Sequence, residues 1–83
     1  MRLTVRYFAS IREVLGASEM VEVADGSSVG AVRDALIARG GPHASALARG
    51  KALRSALNQV LCEESAIVGE GAELAFFPPV TGG

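Results

Sequence analysis

Only one cysteine occurs in the 83 residues, tryptophan is absent, and aromatic residues make up just 5% of the chain. The lone thiol of Cys62 has no partner for an internal disulfide. With no further cysteines and no patterned histidine around it, it gives no metal site either. Set in an apolar stretch, Cys62 reads as a small hydrophobe of the interior. Histidine is equally scarce. His43 stands in an alanine-rich stretch with no second histidine or carboxylate at ligand spacing, and it is assigned no chemistry. The serines sit mostly at caps and turns, so no nucleophile, base and orienting group can be assembled. Gly69-Glu70-Gly71 lacks a third glycine and precedes a strand, which excludes a dinucleotide-binding loop. Glu63-Glu64 reads as a solvated turn.

Charge of one sign is also missing. The net charge is −1, and the eight basic residues are scattered between Arg2 and Arg54. No basic stripe for nucleic acid or anionic lipid results. No apolar leader follows a basic start, and no run is long enough to span a bilayer, so a cytoplasmic protein without a membrane partner is expected. A chain this short buries only roughly 60–65% of its unfolded surface and forms one domain, residues 1–83. Apolar residues are 49% of it. Some must remain on the surface, which points to a protein partner.

Leu3 to Ala9 alternates, with Leu3, Val5 and Tyr7 on one side and Thr4, Arg6 and Phe8 on the other, the period of a half-buried strand. Ser10–Leu15 is a helical turn ended by Gly16. Glu19–Val23 is a second strand, antiparallel to the first and broken by Asp25-Gly26. Ser27 or Ser28 can cap a helix in which Val29, Val32, Ala35 and Leu36 recur at helical spacing while Arg33, Asp34 and Arg39 face water. Gly40-Gly41-Pro42 ends it, and the stretch from His43 to Gly50 reads as loop or short helix. Ala56–Cys62, Ala66–Val68 and Glu73–Phe77 read as strands. The order ββαβββ predicts an α+β fold, a mixed sheet with one face covered by one main helix and with the first and last strands side by side in the middle. Leu74 and Phe76 then face the helix. Phe8, Phe77 and, by the parity of its strand, Leu61 face away from it, and the two phenylalanines converge at one end as a candidate interface.

The final strand runs into Pro78-Pro79-Val80-Thr81-Gly82-Gly83. The prolines fix φ and supply no N–H donor, so the strand stops and residues 78–83 leave it as an extended tail. The two glycines carry no Cβ and can thread a narrow channel. This predicts that the Gly83 carboxylate is delivered into the active site of another protein. A carboxylate is a poor electrophile until it is activated, and an acyl-adenylate would supply the leaving group.

The tail Pro-Pro-Val-Thr-Gly-Gly directly after Phe76-Phe77 resembles that of the molybdopterin synthase small-subunit family, sulfur carriers with a ubiquitin-like β-grasp fold. The resemblance extends to Leu3–Ala9 with Ile11-Arg12-Glu13, to Leu57-Asn58-Gln59 and to Gly69–Leu74. It implies that an ATP-dependent adenylyltransferase activates Gly83 and that a thiocarboxylate forms there. Sulfur then passes to cyclic pyranopterin monophosphate on the large subunit, in a heterotetramer of two small and two large subunits. The tail residues Gly82, Thr81, Val80, Pro79 and Pro78 would provide the reach, and no cofactor would reside on this chain, ATP being used by the activating partner. Thiazole-pathway carriers also end in Gly-Gly, as do ubiquitin-like modifiers. A thiocarboxylated terminus marks a carrier, an isopeptide to a target lysine marks a modifier, and neither marks a plain binding module.

Overall fold

Alternating apolar residues produce β1 (Arg2–Tyr7), in which Leu3, Val5 and Tyr7 are buried while their neighbours are not. The computed structural model describes residues 1–79. After β1 come α1 (Ala9–Leu15), β2 (Ser18–Glu22), α2 (Val29–Ile37), α3 (Gly41–Ala46), β3 (Arg54–Leu57), β4 (Val60–Cys62) and β5 (Glu73–Phe77). The sheet order is β2-β1-β5-β3-β4. Its central pair, β1 and β5, is parallel, and the other pairs are antiparallel. This is the expected α+β arrangement, a mixed sheet with its first and last strands in the middle.

The helix-facing side chains Leu3, Val5, Tyr7, Leu74 and Phe76 meet Val29, Val32 and Leu36 of α2, with Ile11, Ala46, Leu47 and Val68 closing the edges of the core. Of the two candidate caps, Ser28 is the one used: its Oγ accepts the Ala31 N–H at 3.1 Å, while the Ser27 hydroxyl donates to the Ala24 carbonyl at 2.6 Å.

Four expectations are corrected. Ala56–Cys62 is not one strand but a hairpin, β3 and β4, whose turn residues Asn58 and Gln59 both have positive φ, 48° and 71°. Asn is at home in that conformation and Gln is not, so the usual Asn-Gly signal is absent from the sequence. Asn58 is held in place because its N–H donates to the Glu73 carbonyl and its Oδ1 accepts the Glu73 N–H. Residues 66–68 form no strand, only an isolated bridge from Ile67 to Ser28. Gly41 and Pro42 do not belong to the break after α2 but open α3, which is the short-helix alternative for the stretch that follows; Pro42 lies in its first turn, where a missing N–H costs nothing.

The fourth correction concerns charge. Arg33 does not face water but is only 3% exposed. Its Nε donates to the Leu47 carbonyl at 2.8 Å, and Nη2 donates to the carbonyls of Ala48 at 2.7 Å and Lys51 at 3.1 Å. Nη1 donates to Glu64 at 2.8 Å, so Glu64 is a structural partner and not part of a solvated turn. Arg49 also bonds Glu64 and holds its carboxyl below the usual range. A fork of five donors is what lets one side chain bind so many acceptors at once.

A second polar cluster joins β2 to the helices. Glu19 accepts from the Tyr7 hydroxyl at 2.7 Å and from Arg39 at 2.7 Å, and His43 Nε2 lies 2.7 Å from it. His43 therefore has a carboxylate partner, brought to it by the fold from 24 residues away. Partial burial works to raise the Glu19 pKa. The bonds from His43, Arg39 and Tyr7 outweigh it and bring the value down to about 2 from an ordinary 4.5. A carboxylate whose folded pKa is depressed stabilises the protein fully above about pH 4.5 and loses that contribution as pH falls toward 2. Glu19→Gln should therefore be less stable than the native chain in urea titrations near neutral pH, and the gap should narrow steadily below about pH 4.5. A gap unchanged down to about pH 2.5 would show that the carboxylate charge has no part in it.

Candidate functional site

On the face of the sheet away from α2, the register lines up rows of side chains. Arg6 lies beside Ala75, Ala75 beside Ala56, and Ala56 beside Leu61. The next row begins with Phe8, whose N–H donates to the Phe76 carbonyl, and includes Phe77 opposite Arg54. Because β1 and β5 run parallel, Phe8 and Phe77 come to the same end of the sheet. The small side chains of Ala75 and Ala56 leave a shallow groove of about 440 Å³ lined by Arg6, Phe8, Ala56, Gln59, Glu73, Ala75 and Phe77. Leu61 stands one strand beyond this groove, 60% exposed on the edge strand β4. Sequence reasoning placed Leu61 on this face by parity with Gln59. The actual reason is the hairpin turn, which puts residues 56 and 61 opposite each other, whereas in a continuous strand they would point to opposite sides.

One wall of the groove carries charge. The Arg6 guanidinium carbon lies 5.3 Å from the centre of the Phe8 ring and Nη1 lies 3.8 Å from Glu73. This stacking braces Phe8 in its place and satisfies the cation without closing the groove. Alternation already put Arg6 and Glu73 on the open face. Ala56 and Gln59 were missed because their part of the groove depends on the hairpin.

The chain leaves the sheet at this aromatic end. Pro78 and Pro79 follow Phe77 directly and are half-buried. The expected reactive residue Gly83 and the tail residues Val80, Thr81 and Gly82 lie outside the described residues. Cys62 is half-buried on the helix side of β4, its Sγ 3.7 Å from the Ser55 hydroxyl, and takes no part in this face. Among the described residues no three His, Cys, Asp or Glu side chains gather where they could hold a metal ion, and no helix is long and apolar enough to cross a membrane. An exposed apolar groove with a charged rim, beside the point where Pro78 and Pro79 follow β5, is suited to docking a protein.

Residues 5–83 match the model of the ThiS family. A Haemophilus influenzae protein named molybdopterin synthase sulfur carrier subunit is 43% identical over 81 residues, which cover 98% of this chain and 99% of that protein. Among solved structures, SAMP1 from Haloferax volcanii superposes with a TM-score of 0.79 at 27% identity, each chain covered in full. A protein–protein complex of subunits 1 and 2 of the Helicobacter pylori molybdopterin-converting factor contains a chain with the same fold, at a TM-score of 0.69 and 20% identity, again with both chains covered in full.

The two faces of β5 make a direct test. Phe76 is 1% exposed in the core, whereas its neighbour Phe77 is half-buried on the open face. Phe76→Ala should cost about 3–5 kcal/mol of unfolding free energy, and Phe77→Ala no more than about 1 kcal/mol. Chemical denaturation measures both, and a reversed order would mean that the faces are exchanged.

Proposed function

Because the chain belongs to the ThiS family, we propose that it serves as the sulfur carrier subunit of molybdopterin synthase, with the Gly83 carboxylate as its reactive group. The observation that carries this reading is the position of the apolar groove beside the root of the Pro-Pro-Val-Thr-Gly-Gly tail. One face docks the partner while the tail enters that partner's active site. The name of the Haemophilus relative supports the same destination.

The chemistry has three steps. An adenylyltransferase joins the Gly83 carboxylate to AMP from ATP, releasing pyrophosphate and creating a good leaving group. A sulfur nucleophile at the oxidation level of sulfide attacks the acyl carbon, AMP departs, and a thiocarboxylate remains. This anion attacks a side-chain carbon of cyclic pyranopterin monophosphate held by the large subunit, displacing a carbon-bound oxygen, and water then cleaves the acyl C–S bond, which leaves the sulfur on the pterin and returns the Gly83 carboxylate. ATP is bound by the activating enzyme, and no cofactor resides on this chain. The groove residues Phe8 and Phe77, with Leu61 beside them, form the contact to the large subunit, in an assembly of two small and two large subunits in the cytoplasm. The likeness to SAMP1, in full a small archaeal modifier protein, favours a second reading in which the same activated glycine ends in an isopeptide bond to a target lysine.

Reach is the controlling variable. Val80 to Gly83 can extend at most roughly 13–14 Å beyond the prolines, and deleting Gly83 removes roughly 3.5 Å. Misplacement by about 1 Å can already cost a hundredfold in rate. With activating enzyme, ATP and a sulfur source, neither the Gly83 deletion nor a chain with one added alanine should yield molybdopterin when the large subunit is supplied. Intact mass, which reveals sulfur in place of oxygen at the terminus, reads the loading step separately. Normal product from either variant would remove the carrier mechanism.

The docking face is tested independently. Phe77→Ala should weaken binding to the large subunit by about 2 kcal/mol, roughly thirtyfold in Kd, as expected when an aromatic anchor of an interface is truncated. Calorimetric titration gives the value. Unchanged affinity would move the contact elsewhere on the molecule.

A further inference from the structure

β2 (Ser18–Glu22) is an edge of the sheet, with β1 on one side and no strand on the other. Its pairing with β1 is regular: Glu22 lies opposite Arg2, Met20 opposite Thr4 and Ser18 opposite Arg6. The Tyr7 N–H donates to the Ala17 carbonyl at 3.0 Å and the Val23 N–H to the Met1 carbonyl at 2.9 Å, so residues 17, 19, 21 and 23 turn their backbone groups toward β1. Ser18, Met20 and Glu22 therefore turn theirs outward. Among the described residues none of these outward N–H and C=O groups has a partner.

Proteins commonly blunt such an edge with proline, lysine or a bulge, and the segment Ser18-Glu19-Met20-Val21-Glu22 has none of the three. Its one inward-pointing charge, Glu19, is occupied by Tyr7, Arg39 and His43 of its own molecule. The opposite edge is different. There β4 has only three residues, and behind its two-residue turn Leu61 alone directs its backbone groups outward.

The β2 edge is complementary to itself. Set antiparallel to a second copy about Met20, Ser18 faces Glu22 of that copy, Met20 faces Met20, and Glu22 faces Ser18. All the outward residues are used, and each facing pair exchanges two backbone hydrogen bonds. Each Ser18 hydroxyl gains a carboxylate to donate to, and Met20, 61% exposed in the middle of the strand, meets its own copy on the open face of the sheet. On the helix side Val21 faces Glu19 of the second copy, whose carboxylate is already bonded. Neighbouring registers are worse. A shift in one direction sets Glu19 against Glu19, like charges directly opposite each other. A shift in the other sets Ser18 against Ala24, where the chain turns away at Asp25-Gly26.

We infer that the free edge of β2 is a self-association surface whose partner is a second copy of this chain, paired antiparallel about Met20. The two sheets join into one, and the two-fold axis stands perpendicular to it. The contact is closed, because the edge used by the pair is no longer offered to a third copy. Both open faces then look the same way and the two β5 strands run in opposite directions. The grooves over β1, β5 and β3 stay uncovered, with Pro78 following β5 at opposite ends of the joined sheet.

Sedimentation equilibrium of the full chain from about 10 µM to about 1 mM covers the range in which so short a contact associates. The mass should move from one chain toward two and no further. Met20→Lys sets two cations opposite each other at an exposed position and should raise the dissociation constant at least about tenfold, as should Met20→Glu. An equimolar mixture of the two variants should regain association, because lysine then faces glutamate. Chemical denaturation at about 10 µM, where all are single chains, should give the variants the stability of the native protein. Hydrogen exchange on the native chain needs no variant: the amides of Ser18, Met20 and Glu22 should slow as concentration rises while that of Leu61 does not. The inference is overturned by a single chain at 1 mM, by Met20→Lys associating like the native protein, by a variant mixture that stays apart, or by a pair whose β2 amides exchange as fast as in dilute solution.

Discussion

The register between β1 and β5, with Tyr7 opposite Phe76, governs both sides of the sheet. Each strand alternates, so fixing one pair fixes every side chain of the other strand to a face. Tyr7, Phe76, Val5 and Leu74 enter the core together. Phe8 and Phe77 are driven to the outside at the same end, where the prolines begin. A slip by one residue would bury Phe77 and expose Phe76, and the groove and the core would be lost at once. Parallel pairing matters as much as register: with β1 reversed, the start of the chain would meet the tail, and Phe8 would lie at the opposite end from Phe77.

The connection from α3 to β3, residues 47–53, has no regular structure, and buried polar groups give it its shape. Arg33 binds the carbonyls of Leu47, Ala48 and Lys51 together with Glu64, and so holds a loop that makes few backbone bonds of its own. Burying a guanidinium is costly unless its donors are satisfied, and here every nitrogen has an acceptor. Glu19 plays the reciprocal part on the other side of the helix layer, one carboxylate serving Tyr7, Arg39 and His43. Losing either hub strands several partners, so the position of Lys51 and the seating of α3 each depend on a single side chain.

Local patterns in the sequence were enough for the central features. The alternation of Leu3, Val5 and Tyr7, the helical spacing of Val29, Val32 and Leu36, and the turn at Asp25-Gly26 each carry their own signal, and each corresponds to an observed element. What stayed hidden depended on distant partners. Arg33 looks like a solvated residue of an amphipathic helix because its acceptors are backbone carbonyls fourteen or more residues away, invisible to any periodicity. His43 had no neighbour at ligand spacing because its carboxylate comes from β2. The turn at Asn58-Gln59 lacks glycine and is enforced by pairing with Glu73, so an apolar run read as one strand is in fact two. The groove was half legible for the same reason: the part made by β1 and β5 follows from alternation, and the part made by β3 and β4 follows from that turn.

The central strand pair also sets a timetable. Thr4 meets Glu73, so the middle of the sheet closes a loop of nearly the whole chain, at an entropic cost of roughly 4 kcal/mol before any contact is made. Until β5 arrives, the β1–β2 pair and the β3–β4 hairpin are separate fragments with a strand-wide gap between them, each too small to be stable in water. Such high contact order makes folding slow compared with a helical protein of this size. The sheet cannot be completed before residues 73–77 are available, and the strand that completes it is the one leading into the tail. Any enzyme that recognises the groove together with the tail can act only on chains in which β5 has joined the sheet, so completion of the fold gates that recognition.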